Sequence, residues 1–403
     1  MIKQSPLTLA VVHLVLDTGE RLPCLVNAST WLPLRLPMRW AVRYRRYRLQ
    51  ASTLAGNLRT LAKVYKWAWQ VANIALDDYL TSDHRLDARQ IESLAAYLRE
   101  RGGTDNSAVI TPNTFNQQLS VVENFLTWAL YPANRGGVST LTFEQLSAER
   151  DRLKFLFQSL HMRTGQSHRH EPLTADEIAR IRAAIGPQEE ANGAWRFRAD
   201  GFSPVTALRN WLMFEMALEL GLRRGELLKL RLDSLPRGPE AGIKILRYPD
   251  DPHDSRQVEP AVKTAERILP ASHRLLQAIR AYMTLPPPLG RVKGNSPYLF
   301  VTRTGNPLAI DTARDLIQVI GQRSGVSPLS WHRLRHTWAE RLAPVLLQQP
   351  NGLDRLMYLG GWTHPGSPKR YIQQAVAQQA GQTLRTYQSQ LYAAGEEVTE
   401  DDI

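Results

Sequence analysis

Leu220-Gly221-Leu222-Arg223-Arg224-Gly225-Glu226-Leu227-Leu228-Lys229-Leu230 holds a helix end, a corner and a new helix start in quick succession. Upstream, residues 205–222 carry Leu212, Phe214, Met216, Leu218 and Leu220, which predicts a very apolar helix. Gly221 ends it, as a glycine after the last turn does. Glu226 falls in the first turn of the next helix, where the dipole favours an acid. Arg223 is left at the junction, where it can point into a cleft, although an arginine at a helical corner is also an ordinary surface residue.

Working outward, Leu173-Thr174-Ala175-Asp176-Glu177-Ile178 opens a domain. Thr174 is a good N-cap, and Glu177 three residues on completes a capping box. Residues 186–204 read as a Gly/Pro-rich insertion. Residues 242–270 alternate enough for two or three short strands, with Asp250-Asp251-Pro252 in a turn and Lys263 at a β-turn tip. Helices are expected at 310–323, 333–347 and 351–359. The region 172–403 is thus expected to be one mixed α/β domain. The whole chain is read as mainly α with a small antiparallel β-sheet.

Before this domain, residues 161–171 contain almost nothing apolar. Their histidines lack the rigid spacing of a metal site, so the segment reads as a linker. Residues 46–160 carry four helical stripes and form an all-helical domain. The stripes run through Leu54, Leu58, Leu61 and Tyr65 in 51–72, and through Ile91, Leu94 and Leu98 in 87–101, where Gly102-Gly103 ends the run. The third follows the Thr111-Pro112 start and stops at Tyr131-Pro132; the fourth lies in 143–160. Arg59 and Lys63 are expected on the exposed face. Residues 1–45 form an N-terminal extension or arm with a strand or hairpin in its first 30 positions. Where it meets the helices, Arg35, Arg39, Arg43, Arg45, Arg46 and Arg48 alternate with Trp40, Tyr44 and Tyr47. Arginine among aromatics suits phosphate forks and base stacking, though a solvated basic linker has the same composition.

The chain has 403 residues, with 50 Lys and Arg against 38 Asp and Glu, a net charge of +12. Two domains fit that length, and a phosphate-rich partner fits that charge. Cys24 is the only cysteine, which excludes an internal disulfide and a cysteine-based zinc site and fits a reducing compartment. No apolar run approaches the length of a membrane span, and the N-terminus lacks a signal-peptide cleavage pattern. No carboxylate cluster suited to a two-metal site is evident, so neither a metal nor another cofactor is expected.

Two more features complete the set. In Ser330-Trp331-His332-Arg333-Leu334-Arg335-His336-Thr337, His332 and Arg335 are three apart and share a helix face. In Leu359-Gly360-Gly361-Trp362 and the following Thr363-His364-Pro365-Gly366-Ser367-Pro368-Lys369-Arg370-Tyr371, Trp362 precedes Tyr371 by nine residues. In order, the chain resembles the tyrosine recombinases, or phage integrases, over about 172–385. Leu220–Arg231 resembles their first arginine box, His332–Thr337 their His-x-x-Arg box, and Lys263, followed by Arg267 and Pro270, their strand-turn lysine. The interval from Trp362 matches Tyr371 to their nucleophile, with tryptophan standing where histidine is commoner; Tyr358, Tyr387 and Tyr392 are out of register.

That resemblance implies a site-specific recombinase that cuts and rejoins DNA through a covalent 3′-phosphotyrosine without metal. Arg223 and Arg335 would hold the phosphate, His332 and Trp362 would donate further hydrogen bonds, Lys263 would protonate the leaving oxygen, Tyr371 would attack, and Glu226 would brace the site. It also implies two domains clamping double-stranded DNA, a homotetramer on two sites, accessory DNA-bending proteins, and a place in the cytoplasm on the nucleoid. Arg43, Arg45, Arg46, Arg59 and Lys63 are the candidate DNA contacts. The stripe Ile372, Val376, Leu384, Tyr387 and Leu391, broken at Gly381, would dock on a neighbouring protomer or fold back on its own domain, ahead of an acidic tail at 396–402. A type IB topoisomerase-like relaxing enzyme, a catalytically idle DNA-binding protein and an RNA-binding scaffold stay open as alternatives.

Overall fold

The computed structural model describes residues 7–100, 109–136, 139–165, 171–189, 195–197, 203–236, 242–285, 290–292, 294 and 296–393. Gly102-Gly103, residues 166–170 of the histidine-rich stretch, much of the 186–204 insertion and the acidic tail lie outside the described residues. The chain divides into two compact units, 1–168 and 169–403.

In the first unit, β1 (Leu9–Val15) and β2 (Arg21–Asn27) form an antiparallel hairpin, with Leu9 opposite Asn27 and Val15 opposite Arg21. Next come α1 (Arg35–Trp40), which runs on into a π-helical turn at Ala41–Arg45, and α2 (Ala51–Gln70). They are followed by α3 (Leu76–Thr81), α4 (Ala88–Arg99), α5 (Pro112–Ala129), α6 (Pro132–Arg135) and α7 (Phe143–Ser159). The caps explain several starts: Thr111 accepts from the Thr114 N–H, and Asp87 with Gln90 and Thr142 with Gln145 close capping boxes.

The hairpin is not a free arm. Leu25, Leu36 and Trp40 are fully buried in one cluster with Leu58, Leu61, Leu94, Leu119 and Phe157. Trp40 meets Phe125 edge to face at 5.9 Å. The arginine-rich stretch is helical over 35–45 because Leu36, Trp40 and Ala41 supply a buried stripe at helical spacing. Tyr131-Pro132 stops α5 and also starts α6, with Pro132 at a position that needs no N–H donor.

The second unit opens with α8 (Ala175–Ile185), whose Thr174–Glu177 capping box forms as the sequence predicts. A short strand pair follows, β3 (Gln188–Glu189) with β4 (Trp195–Arg196). Helix α9 (Pro204–Leu220) runs through the core, with Leu212, Met213, Phe214, Met216 and Ala217 wholly buried, and α10 (Arg224–Lys229) turns off its end. In the 242–270 region the described strands are two, β5 (Ile243–Ile245) and β6 (Arg267–Leu269), paired antiparallel. The remainder is helical: α11 (His273–Thr284), α12 (Ile310–Ser324), α13 (Trp331–Leu347), α14 (Gly352–Gly360) and α15 (Gly366–Ala393). Helix α15 runs unbroken through Gly381, where the apolar stripe is interrupted. A lone glycine costs a helix only about 1 kcal/mol, and its Gln- and Ala-rich neighbours offset that.

Candidate active site

The corner after α9 sets up the centre. Gly221 takes a left-handed conformation (φ 63°), and a Cβ there would strike the Trp338 ring, so only glycine fits. The turn delivers Arg223 as the residue capping α10. The Glu226 carboxylate reaches back and accepts from the Arg223 backbone N–H at 2.6 Å. Glu226 is 2% exposed; its other oxygen accepts from Arg267 Nη1 at 2.7 Å and from the Thr264 hydroxyl.

Arg335, on α13, is buried beside this carboxylate, with Nη1 3.9 Å from Glu226 Oε2. It donates to the Gly221 carbonyl at 2.7 Å and to the Gly360 carbonyl at 2.5 Å. Those carbonyls close α9 and α14, whose negative dipole ends suit a cation. The guanidinium lies 4.3 Å above the Trp362 ring. Burial, then the charge of Arg223, push Arg335 down to about 9, which leaves it cationic at neutral pH. Burial also lowers Arg223. Glu226 is raised by burial, but Arg267, Arg335 and Thr264 outweigh that and hold it below the usual carboxylate range.

Tyr371 enters from α15 and is 3% exposed among Trp338, Ala339, Leu356 and Ala375. The His336 ring meets it edge to face at 5.1 Å, and Trp362 lies 6.0 Å away. Its hydroxyl accepts from Arg370 Nη2 at 2.8 Å. Arg223 and Arg335 both lie within electrostatic reach of this phenol. Arg223, Glu226, Arg335, Trp362 and Tyr371 are therefore brought together.

Lys263 and His332 are exposed. Lys263 does not sit at a tight hairpin tip: it lies in the long loop between β5 and β6. That loop is pinned at the centre nonetheless. The Ala265 N–H donates to the Gly361 carbonyl at 3.0 Å, and the Ala261 carbonyl comes so close to Gly225 that any side chain there would collide with it. His332 stands one turn before His336 on α13, ring to ring at 6.4 Å. Sequence reading used Arg267 only as a marker of the strand-turn motif and gave it no role, and it passed over Thr264, Arg370 and the pair His336–Glu340, which sits at 3.1 Å. Only the last had a legible signal, the i, i+4, i+8 spacing of His332, His336 and Glu340.

In the first unit, Arg43 and Arg59 are exposed and Arg45 is half-buried over Trp40 and Tyr44. Arg59 and Lys63 are four apart on α2 and share a face, where burial lowers the Lys63 ammonium. Arg46 is different: its guanidinium is forked onto Glu20. Among the described residues no group of three or more His, Cys, Asp or Glu could hold a metal ion, and no helix is long and apolar enough to cross a membrane.

A mainly helical protein with two arginines and a buried tyrosine at one centre has the makings of a phosphoryl-transfer protein. Residues 198–378 match the sequence model of the phage integrase family. No curated relative matches. Among solved structures, the chain is similar to XerA recombinase at 14% identity, covering 86% of this chain and 97% of that one, with a TM-score of 0.39. It is similar to the Tn1549 transposon integrase in complex with circular intermediate DNA (15% identity, 84% and 94% coverage, TM-score 0.47). It is also similar to a lambda integrase dimer bound to a core site (16% identity, 83% and 94% coverage, TM-score 0.46). These scores lie below 0.5, so the likeness to that family stands on the 198–378 match.

Proposed function

We propose that this protein cuts and rejoins DNA strands at specific sites, holding the broken strand as a 3′-phosphotyrosine on Tyr371. The observation that carries this reading is the convergence of Arg223 and Arg335 on one buried phenol. A phosphodiester under attack gathers charge on its non-bridging oxygens, and two guanidinium forks match that charge without a metal ion. Arg223 Nη1 is buried with no hydrogen-bond partner among the described residues, as a donor awaiting a phosphate oxygen would be.

In this mechanism the Tyr371 oxygen forms a bond to phosphorus and the bond from phosphorus to the 5′-oxygen breaks. The Lys263 ammonium gives its proton to that leaving oxygen, and the phenolic proton passes to water. His332 and the Trp362 indole N–H donate to the phosphate; Glu226 braces the site through the Arg223 backbone N–H. The two units grip duplex DNA, with Arg43, Arg45, Arg59 and Lys63 on phosphates. Four copies act on two sites, with DNA-bending proteins assisting, on the nucleoid. The exposure of Val376, Leu384, Tyr387 and Leu391 on α15 supports a neighbouring protomer there rather than a helix folded back on its own domain.

Tyr371→Phe tests the reading, because it removes only the attacking oxygen. With a nicked duplex selected for binding from a random pool, in excess EDTA, the parent is expected to give a covalent 3′-phosphotyrosyl complex and the variant none at equal DNA affinity. A covalent complex that persists in the variant overturns the assignment.

A further inference from the structure

Arg267 has no role in the mechanism above, yet its side chain is wholly buried at the centre. Nη1 lies 2.7 Å from Glu226 Oε1, Nε donates to the Leu359 carbonyl at 2.8 Å, and Nη2 has no hydrogen-bond partner among the described residues. Glu226 therefore stands between two guanidiniums. It pairs with Arg267 at hydrogen-bond distance and leaves Arg335 at 3.9 Å, beyond it. A buried carboxylate that loses its partner has no water to turn to and draws in the nearest cation. Here that cation is Arg335.

We infer that Arg267 is a positioning residue: by occupying Glu226 it keeps Arg335 on the Gly221 and Gly360 carbonyls, above Trp362 and available to a phosphate. The effect on rate rests on the strand-cleavage reading; the geometry does not. Thr264 and the Arg223 N–H also bind Glu226, but both are uncharged donors and neither substitutes for a cation.

Two measurements test this. In a crystal structure of Arg267→Met, Arg335 is expected to close on Glu226 to hydrogen-bond distance and to release at least one of its two carbonyls. In cleavage assays on the selected nicked duplex, Arg267→Met is expected to lose about 100-fold in rate, as when one transition-state donor is misplaced, with duplex affinity unchanged. Arg267→Lys, which keeps a cation beside Glu226, is expected to recover most of that rate. Adding Glu226→Gln to Arg267→Met removes the competing charge and is expected to raise the rate above that of the single variant. A merely structural Arg267 predicts the reverse, since the double variant has lost two polar partners. An Arg335 that stays in place in the Arg267→Met crystal, or a double variant no faster than the single, overturns the inference. Should the parent cleave no duplex, the strand-cleavage reading fails, and the position of Arg335 in the Arg267→Met crystal still decides the role of Arg267.

Discussion

Asp83 shows how much a single side chain can hold. Its backbone is left-handed (φ 65°), and its carboxylate accepts from Arg135 at 2.5 Å, Arg85 at 2.6 Å, the Ser139 hydroxyl at 2.9 Å and the Thr140 N–H at 3.1 Å. The Arg135 side chain is fully buried. Desolvation raises Asp83, but these donors together outweigh it and hold it well below the usual carboxylate range. Asparagine tolerates the same backbone, so Asp83→Asn isolates the charge. It is expected to cost about 3 kcal/mol at neutral pH, by leaving Arg135 buried and unpaired. A folded-state value below the unfolded one means that this contribution is present above the unfolded carboxylate range and is lost as pH falls. Urea melts at stepped pH should therefore show parent and variant converging in acid. The roles of Arg135 and Arg267 were illegible in the sequence for a common reason: a charged residue reads as surface until its tertiary partners are known. Arg223, Arg335 and Tyr371 were legible because their spacing lies within short local motifs.

Among the elements, those with strong local signals were readable: the capping box at Thr174, the Thr111-Pro112 start of α5 and the apolar run of α9. The strands β5 and β6 were blurred because three residues carry little alternation. The helicity of 35–45 was hidden because its buried stripe is narrow and its arginines dominate the composition. That segment yields a graded prediction. Arg43→Ala and Arg45→Ala should weaken binding to all duplexes about equally and lower the slope of log affinity against log salt by about 0.9 for each phosphate no longer neutralised. Arg46→Ala should instead lower the melting temperature, since its guanidinium ties the π-helical turn to Glu20 at the β1–β2 turn. Titrations at three salt concentrations, with a thermal melt of each variant, separate the two effects; equal loss of affinity in all three without a change in melting would refute the distinction.

At the scale of the molecule, each unit has a core of its own: Leu25 to Phe157 in the first, Leu173 to Leu334 with a smaller cluster around Trp338 and Tyr371 in the second. Two unfolding transitions are therefore expected in calorimetry. A fragment of residues 169–403 should fold alone and still form the covalent complex, but only at higher DNA concentration, being without the first unit's basic side chains. A single transition, or a fragment without native circular dichroism, would speak against separate cores. The last consequence concerns α15. Its 28 residues span about 42 Å, and Tyr371 sits about 8 Å from the start. The helix is thus a reduction gear. If it swings about its first residue, a 5 Å excursion of the far end becomes about 1 Å at the Tyr371 backbone. One ångström is also the scale on which reacting groups lose alignment. Loose handling at the distal tip is thereby converted into fine adjustment of the phenol.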